Sequence, residues 1–229
     1  MAALGFAHRG APHRGVRENT LLAFRAAVSA GATALESDVW LTADGVPVLH
    51  HDGALGGWLR KLAGRRTELA TLPRATLPEW LPSLADYYAQ IGVDLPLSLD
   101  VKGPGAADAS IAVARDAGAV ARLWLCGDVS ELAGWRQLDP DVRLVDSTRR
   151  ANLGETVSVR AGRIAAIGAQ ALNMKVKEWT RAEVDAAHAA GVLAFGWDAH
   201  TTVAVARAQT LGLDGVYGDS VRALALLSS

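Results

Sequence analysis

Short apolar runs alternate with longer segments of helical period from one end of the chain to the other. Leu4 to Ala7 predicts a first strand that ends at His8, and Asn19-Thr20 caps a helix carrying Leu21, Phe24 and Val28, stopped by Gly31. Ala34 to Trp40 predicts a second strand. Further strands are predicted at Leu95 to Val101, Arg122 to Cys126, Val142 to Val145, Ala171 to Met174, Val192 to Phe195 and Gly215 to Tyr217. Between them lie helix-like stretches at 106–117, 128–137, 156–167, 181–190, 203–211 and 220–227, with Gly118, Gly168, Gly191 and Gly212 where helix C-termini belong. Strands alternating with helices of this length imply parallel βαβ units, and eight of them close most economically as a (β/α)8 TIM barrel. A doubly wound open sheet is the alternative. No Gly-x-Gly-x-x-Gly follows the first strand to favour it.

One segment breaks the rhythm. Gly53 to Leu81 is rich in Gly, Arg and Pro, holds Trp58 and Trp80, and shows no clear core pattern. It is too long for an ordinary loop and is expected to be a small insertion after the second strand, within a single domain spanning residues 1–229.

Composition narrows the function. Half of the 229 residues are apolar, the formal net charge is -1 and the pI is near 6.6, so no global positive field invites nucleic acid or an anionic membrane. Any bound anion is held by a local cluster. The single cysteine, Cys126, excludes an intramolecular disulfide and is expected to be a buried, inert thiol. The opening residues lack the basic start and apolar core of a signal peptide, and no stretch is apolar enough to span a bilayer. A soluble cytoplasmic protein is the expectation.

The polar residues that cost most to bury sit at the ends of the first three strands. His8-Arg9-Gly10 ends the first, Glu36-x-Asp38 lies in the second, and Asp100-x-Lys102 ends the third. Residues two apart on a strand point the same way, so Glu36 and Asp38 share a face, as do Asp100 and Lys102. At the C-terminal mouth of a barrel these groups converge. Three carboxylates in low dielectric repel one another, and a bound cation relieves both problems. With oxygen ligands it is hard: Mg²⁺, Ca²⁺ or Mn²⁺ before Zn²⁺. Arg9 and Lys102 suit a phosphate, and the imidazoles of His8 and His51 suit one proton acceptor and one donor. Taken singly, Glu36-x-Asp38 reads as a salt-bridged strand end, Asp100-x-Lys102 as structural and His50-His51-Asp52 as a solvated loop. Their succession at strand ends is what makes a site.

The run His8-Arg9-Gly10, Glu18-Asn19-Thr20, Ala23-Phe24 and Gly31-Ala32 resembles the opening of the glycerophosphodiester phosphodiesterase family. Glu36-x-Asp38-Val39-x-Leu41-Thr42-x-Asp44-Gly45-x-Pro47-Val48, followed by His51-Asp52, continues the resemblance in order. Weaker echoes follow at Pro82-x-Leu84, at Lys102, at Trp197 and in Gly212-x-Asp214-Gly215-Val216-x-Gly218-Asp219. The resemblance implies a (β/α)8 barrel, metal ligands at Glu36, Asp38 and Asp100, and an acid/base pair of His8 and His51. It also implies phosphate contacts from Arg9 and Lys102, and Trp197 lining the pocket beside the glycerol. The expected reaction is metal-dependent hydrolysis of a small-molecule glycerophosphodiester to glycerol 3-phosphate and an alcohol. Two rivals stand beside it: a related phosphodiesterase acting on lysophospholipids or other lipid diesters, with Trp58, Leu59 and Trp80 at an apolar entrance, and a non-catalytic barrel that binds phosphorylated ligands.

The sequence departs from the family pattern in places. Arg17 replaces the usual Pro before Glu-Asn-Thr, Asp100 is one methylene shorter than the usual Glu, and Gly218-Asp219 replaces Thr-Asp. Asp198 follows Trp197 where a small polar residue is usual. Facing the pocket, it favours a cationic or hydroxyl-rich alcohol; otherwise it caps the next helix. His13 and Arg14 read as solvated surface, and His50 as pointing away from His51.

Overall fold

The computed structural model describes residues 3–56 and 66–228. Among them, eight parallel strands close into a barrel: β1 (Leu4–Ala7), β2 (Ala34–Leu41), β6 (Leu97–Val101), β7 (Leu123–Gly127), β8 (Arg143–Ser147), β9 (Ala171–Lys175), β10 (Leu193–Trp197) and β11 (Gly215–Gly218). Each pairs with the next, and β1 closes the ring by pairing with both β11 and β2, Leu4 opposite Gly215 and Phe6 opposite Ala34. The expected (β/α)8 TIM barrel is therefore present, and all eight expected strands fall within a residue or two of their observed ends. No helix among the described residues is long and apolar enough to cross a membrane.

The period of two along the strands builds two separate layers. On β6, Leu97, Leu99 and Val101 face the surrounding helices, while Ser98 and Asp100 face inward. On β2, Leu35 and Val39 join the same outer layer, leaving Glu36 and Asp38 inside. Each fully buried Leu or Val of that layer is worth about 1.5–3 kcal/mol, which is what fixes the register. The interior holds an aromatic cluster, with Phe6 stacked on Tyr217 at 4.6 Å and the Trp124 and Phe195 rings beside it. Above it the polar residues begin.

Two features go beyond the sequence reading. The helix Leu84–Ile91 supplies the crossover from β2 to β6; it starts from a capping box in which Ser83 accepts from the Asp86 N–H and Asp86 accepts from the Ser83 N–H. Gly53 to Leu81 does have a core. β3 (Pro47–Leu49) folds back antiparallel on β2, a ribbon of β4 (Ala54–Leu55) and β5 (Thr67–Glu68) follows, and Leu69, Leu77 and Leu81 are buried around Val48. Their spacing is irregular because 3-10 turns at Leu69–Thr71 and Arg74–Thr76, not a helix or strand, aim them inward. Trp58 and Leu59, assigned to an apolar entrance, lie outside the described residues, and Trp80 remains 39% exposed under the Arg17 guanidinium, 3.9 Å from its ring centroid.

Candidate active site

His8, Arg9, Glu36, Asp38, His51, Asp100, Lys102 and Trp197 all line one cavity of about 540 Å³ at the C-terminal ends of the strands. Backbone bends deliver several of them. After β1 the chain enters a single 3-10 turn in which Arg9 adopts a left-handed φ of 51°, and its N–H donates to Glu36 Oε2 at 2.9 Å. His51 reaches the mouth because β3 returns along β2, and the His50 N–H extends that ladder to the Asp38 carbonyl at 3.0 Å. The turn after it needs Gly53: with φ 66°, a Cβ there would lie 2.6 Å from the Trp40 indole, whose N–H donates to the His51 carbonyl. His50 does not line the cavity and sits 6.1 Å from the Trp80 ring, as its expected orientation requires.

The carboxylates are held together at a cost. Asp38 and Asp100 are direct partners across β2 and β6, and Glu36 lies one pleat below. Glu36 and Asp38 are 6% and 3% exposed. Burial, with the charges of Asp38 and Asp100 adding to it, pushes Glu36 up to about 8 despite the opposing His8 charge. Asp38 is raised by burial and by Asp100. The neighbouring cations compensate in part. Arg9 Nε lies 3.5 Å from Asp38 and its Nη1 donates to Glu18, while Lys102 contacts Asp100 and lies 3.6 Å from Asp38. Burial works against the Lys102 charge, but Asp100, Asp38 and Glu36 outweigh it and raise its pKa. Asp38 Oδ2 still has no hydrogen-bond partner. A buried carboxylate oxygen among three acids, met by Arg9 Nε at 3.5 Å but by no hydrogen bond, suits a hard divalent cation, and Glu36, Asp38 and Asp100 are the residues that would hold it.

Each imidazole carries a carboxylate behind it. The His8 Nδ1–H donates to Asp219 Oδ1 at 2.6 Å, which turns Nε2 toward Glu36, 4.0 Å away. His51 Nδ1 meets Asp52 Oδ1 at 3.0 Å, and Asp52 is anchored by Arg66 at 2.5 Å. Burial opposes the charge of His8, but the Asp219 hydrogen bond and the Glu36 charge raise its pKa above the ordinary value. Asp219 also binds His200 Nδ1 at 2.8 Å, and His200 Nε2 lies 3.2 Å from Asp198. His8, His200 and Asp219 bring ligand atoms within 4.8 Å of one another, a second place where a metal could sit. Both Asp219 oxygens are already spent on imidazole nitrogens, so we read this trio as a hydrogen-bonded chain and the carboxylate trio as the metal candidate.

Asp219 and His200 were not assigned site roles from sequence. Gly218 is the local reason they meet: a Cβ there would lie 2.3 Å from the Ala199 carbonyl oxygen, so the segment after β10 packs directly on the end of β11. Both sequence readings of Asp198 are corrected. It does not line the cavity, and the side-chain cap of the helix Thr202–Leu211 is Thr201. Asp198 sits at φ 69° and pairs with Lys175 at 3.1 Å, an interaction that lowers its pKa. Trp197 does line the cavity, donating to the Thr148 carbonyl, with Lys175 Nζ and Arg149 Cζ at 4.5 and 5.2 Å from its ring. Cys126 borders the cavity but is 4% exposed and pushed up to about 12 by burial, the inert thiol expected.

The chain is similar to known proteins in part of its sequence and in its fold. Residues 8–97 match the model of the glycerophosphoryl diester phosphodiesterase family, bearing out the resemblance read from the motifs. Glycerophosphodiester phosphodiesterase 1 of Rattus norvegicus is 53% identical over 49 residues, 21% of this chain and 14% of that protein, and the human protein of that name is 51% identical over the same length. The aligned stretch is thus about one seventh of the curated relatives' length. The fold carries much further. An Oleispira antarctica phosphodiesterase, solved with the product sn-glycerol-3-phosphate, superposes with a TM-score of 0.81 at 20% identity, covering 99% of this chain and 97% of that one. A glycerophosphodiester phosphodiesterase from Thermotoga maritima gives 0.81 at 22% identity, covering 99% and 98%.

Proposed function

We propose, from the match of residues 8–97 to that family, that this chain is a divalent-metal-dependent phosphodiesterase cleaving glycerophosphodiesters to glycerol 3-phosphate and an alcohol. The observation that carries it is the meeting, in one cavity, of the buried Glu36 and Asp38 and the neighbouring Asp100 with two imidazoles, each backed by a carboxylate. Glu36, Asp38 and Asp100 would hold Mg²⁺ or Ca²⁺, with Mn²⁺ also suited to the oxygen set. Bound there, the ion supplies Lewis-acid polarisation of a phosphoryl oxygen.

The protein's own groups do the rest. Arg9 and Lys102 share the remaining phosphate charge. His8, whose charge burial opposes but whose pKa the Asp219 hydrogen bond and the Glu36 charge raise, donates the Nε2 proton to the departing alcohol oxygen as the P–O bond breaks. His51 accepts the proton of the attacking hydroxyl, whether from water or from the substrate's glycerol through a cyclic phosphate. Its Asp52 partner orients the ring for that role. A small soluble diester fits the polar walls of the cavity, and nothing in its charge pattern suits nucleic acid.

The test is release of glycerol 3-phosphate from glycerophosphocholine by chelated protein, with Mg²⁺, Ca²⁺ and Mn²⁺ restored separately. Metal-restored release is expected. No release with any of the three, from this or other glycerophosphodiesters, would overturn the reading.

A further inference from the structure

The wall of the cavity opposite the carboxylates carries polar groups that the proposed mechanism leaves unused. Asn173 on β9 is 4% exposed and lines the cavity; its Nδ2 donates to Ser147 Oγ at 3.1 Å, but its Oδ1 has no hydrogen-bond partner. A buried acceptor left without a partner in a cavity-lining residue is matched to a ligand hydroxyl. Arg149, just beyond the end of β8, lines the same wall and makes no ion pair among the described residues; its guanidinium lies over the Trp197 ring, which Lys175 also approaches. Every other cation of the cavity is tied to a carboxylate: Arg9 to Glu18 and Asp38, Lys102 to Asp38 and Asp100. The two acids on this wall are spent locally. Asp128 accepts from the Ser130 N–H and hydroxyl, and Glu131 accepts from the Asp128 N–H, as the capping box of the helix Val129–Leu138. An unpaired guanidinium over a ring that Lys175 also approaches repels a quaternary ammonium and attracts an anion.

We infer that this wall is a subsite for a phosphorylated polyol, with Asn173 accepting from a hydroxyl and Arg149 binding a second phosphate. The inference rests on the proposed phosphodiesterase reading and names the substrate class within it: glycerophosphodiesters that carry further negative charge on one of their alcohols. Two probes differ in that charge and in the glycerol attached to it. Glycerophosphoglycerol has one phosphodiester between two glycerols. Deacylated cardiolipin has a second phosphodiester and a third glycerol, and either of its two equivalent phosphates can react with the charged arm placed against the wall.

The experiment is steady-state kinetics on both, at fixed ionic strength and with saturating metal. The wild-type protein is expected to favour deacylated cardiolipin in kcat/KM by about 5–10-fold, the range of one charge-assisted contact at an exposed site. Arg149→Gln should lower kcat/KM for deacylated cardiolipin at least about fivefold more than for glycerophosphoglycerol, mostly through KM, and Arg149→Lys should restore part of the difference. Asn173→Ala should raise KM for both several-fold. Equal use of the two substrates by wild type, or equal loss on both in Arg149→Gln, overturns the inference while leaving the phosphodiesterase reading intact. Turnover of neither, with any metal, removes the reading and the inference together.

Discussion

The two sides of the barrel mouth handle charge in opposite ways. On the side built by β2 and β6, carboxylates are buried faster than they are paired, and Glu36 and Asp38 are driven toward their neutral forms. On the side built by β10 and β11, pairing wins. Lys175 holds Asp198 low, and the His8 hydrogen bond keeps Asp219 low against the burial that would raise it. The first side is unsatisfied until something cationic arrives. The second is a finished chain from His8 through Asp219, His200 and Asp198 to Lys175. Binding and positioning are thus divided between two electrostatic regimes around one cavity.

Breaking the unsatisfied side has the largest expected effect. Glu36→Gln or Asp38→Asn should cost about 10³-fold or more in activity, since the several kcal/mol of transition-state stabilisation from a metal goes with its ligand. The same side makes an unusual prediction for stability without metal. Glu36 is raised from its ordinary 4.5 to about 8, so the native state binds more protons than the unfolded state between those values, and stability falls as pH rises through the window. Melting curves of chelated wild type should lose Tm, relative to Glu36→Gln, from pH 5 to 8, and added metal should recover most at the alkaline end. Parallel curves for the two proteins would show that Glu36 does not carry the strain.

The histidines come next. His8→Ala and His51→Ala should each lower kcat on glycerophosphocholine by on the order of 10²–10⁴. Their losses should separate on a diester with a nitrophenol leaving group, which departs without protonation. There His8→Ala should recover most of its activity and His51→Ala little. The opposite pattern would exchange their roles.

The finished side answers more mildly. Asp219→Asn keeps the shape but removes the charge that holds His8 Nδ1–H and its orientation toward Glu36, and such orienting partners are typically worth about 10–100-fold. The loss should fall on kcat with KM little changed. A drop in KM-dependent terms alone would make Asp219 a substrate contact instead. In stability the sign is opposite to that of Glu36. Asp219 has a lowered pKa, so its contribution is present above the ordinary carboxylate range and lost as pH falls through its native value.

The difference between the sides also explains what could be read from the sequence. Glu36, Asp38, Asp100 and Lys102 lie on or directly after strands, where a period of two fixes their common face and barrel topology fixes their common end. The eight strands were legible for the same reason, each being an apolar run with an outer face against helices. The contacts of Asp219 with His8 and His200, and the places of Arg149 and Asn173, were not. The His8–Asp219 contact joins residues 211 apart, and His200 arrives only because Gly218 lets the Ala199 backbone close on β11. Nothing periodic encodes such a meeting. The helix Leu84–Ile91 was obscured by its short length between Pro82 and Pro96, although its Ser83-x-x-Asp86 box was in plain view. In the insertion, Leu69, Leu77 and Leu81 are aimed inward by 3-10 turns, which leave no stripe to detect.

The smallest effect expected belongs to Asp198, where a backbone cost and a charge gain nearly cancel. Its φ of 69° is unfavourable for most side chains by roughly 1–2 kcal/mol, a cost that Asp and Asn bear more easily. Its ion pair with Lys175 joins groups 37% and 21% exposed and is worth about 0.2–1 kcal/mol. Asp198→Asn keeps the tolerant side-chain shape and loses only charge, so it should destabilise by less than about 1 kcal/mol. Asp198→Ala loses the pair and the tolerance together and should cost about 1–2 kcal/mol, while Asp198→Gly relieves the backbone and should fall near wild type. Urea unfolding of the three variants orders them. If Ala proves no worse than Asn, the left-handed backbone carries no strain, and the packing of Ala199 against Gly218 alone accounts for the placement of His200.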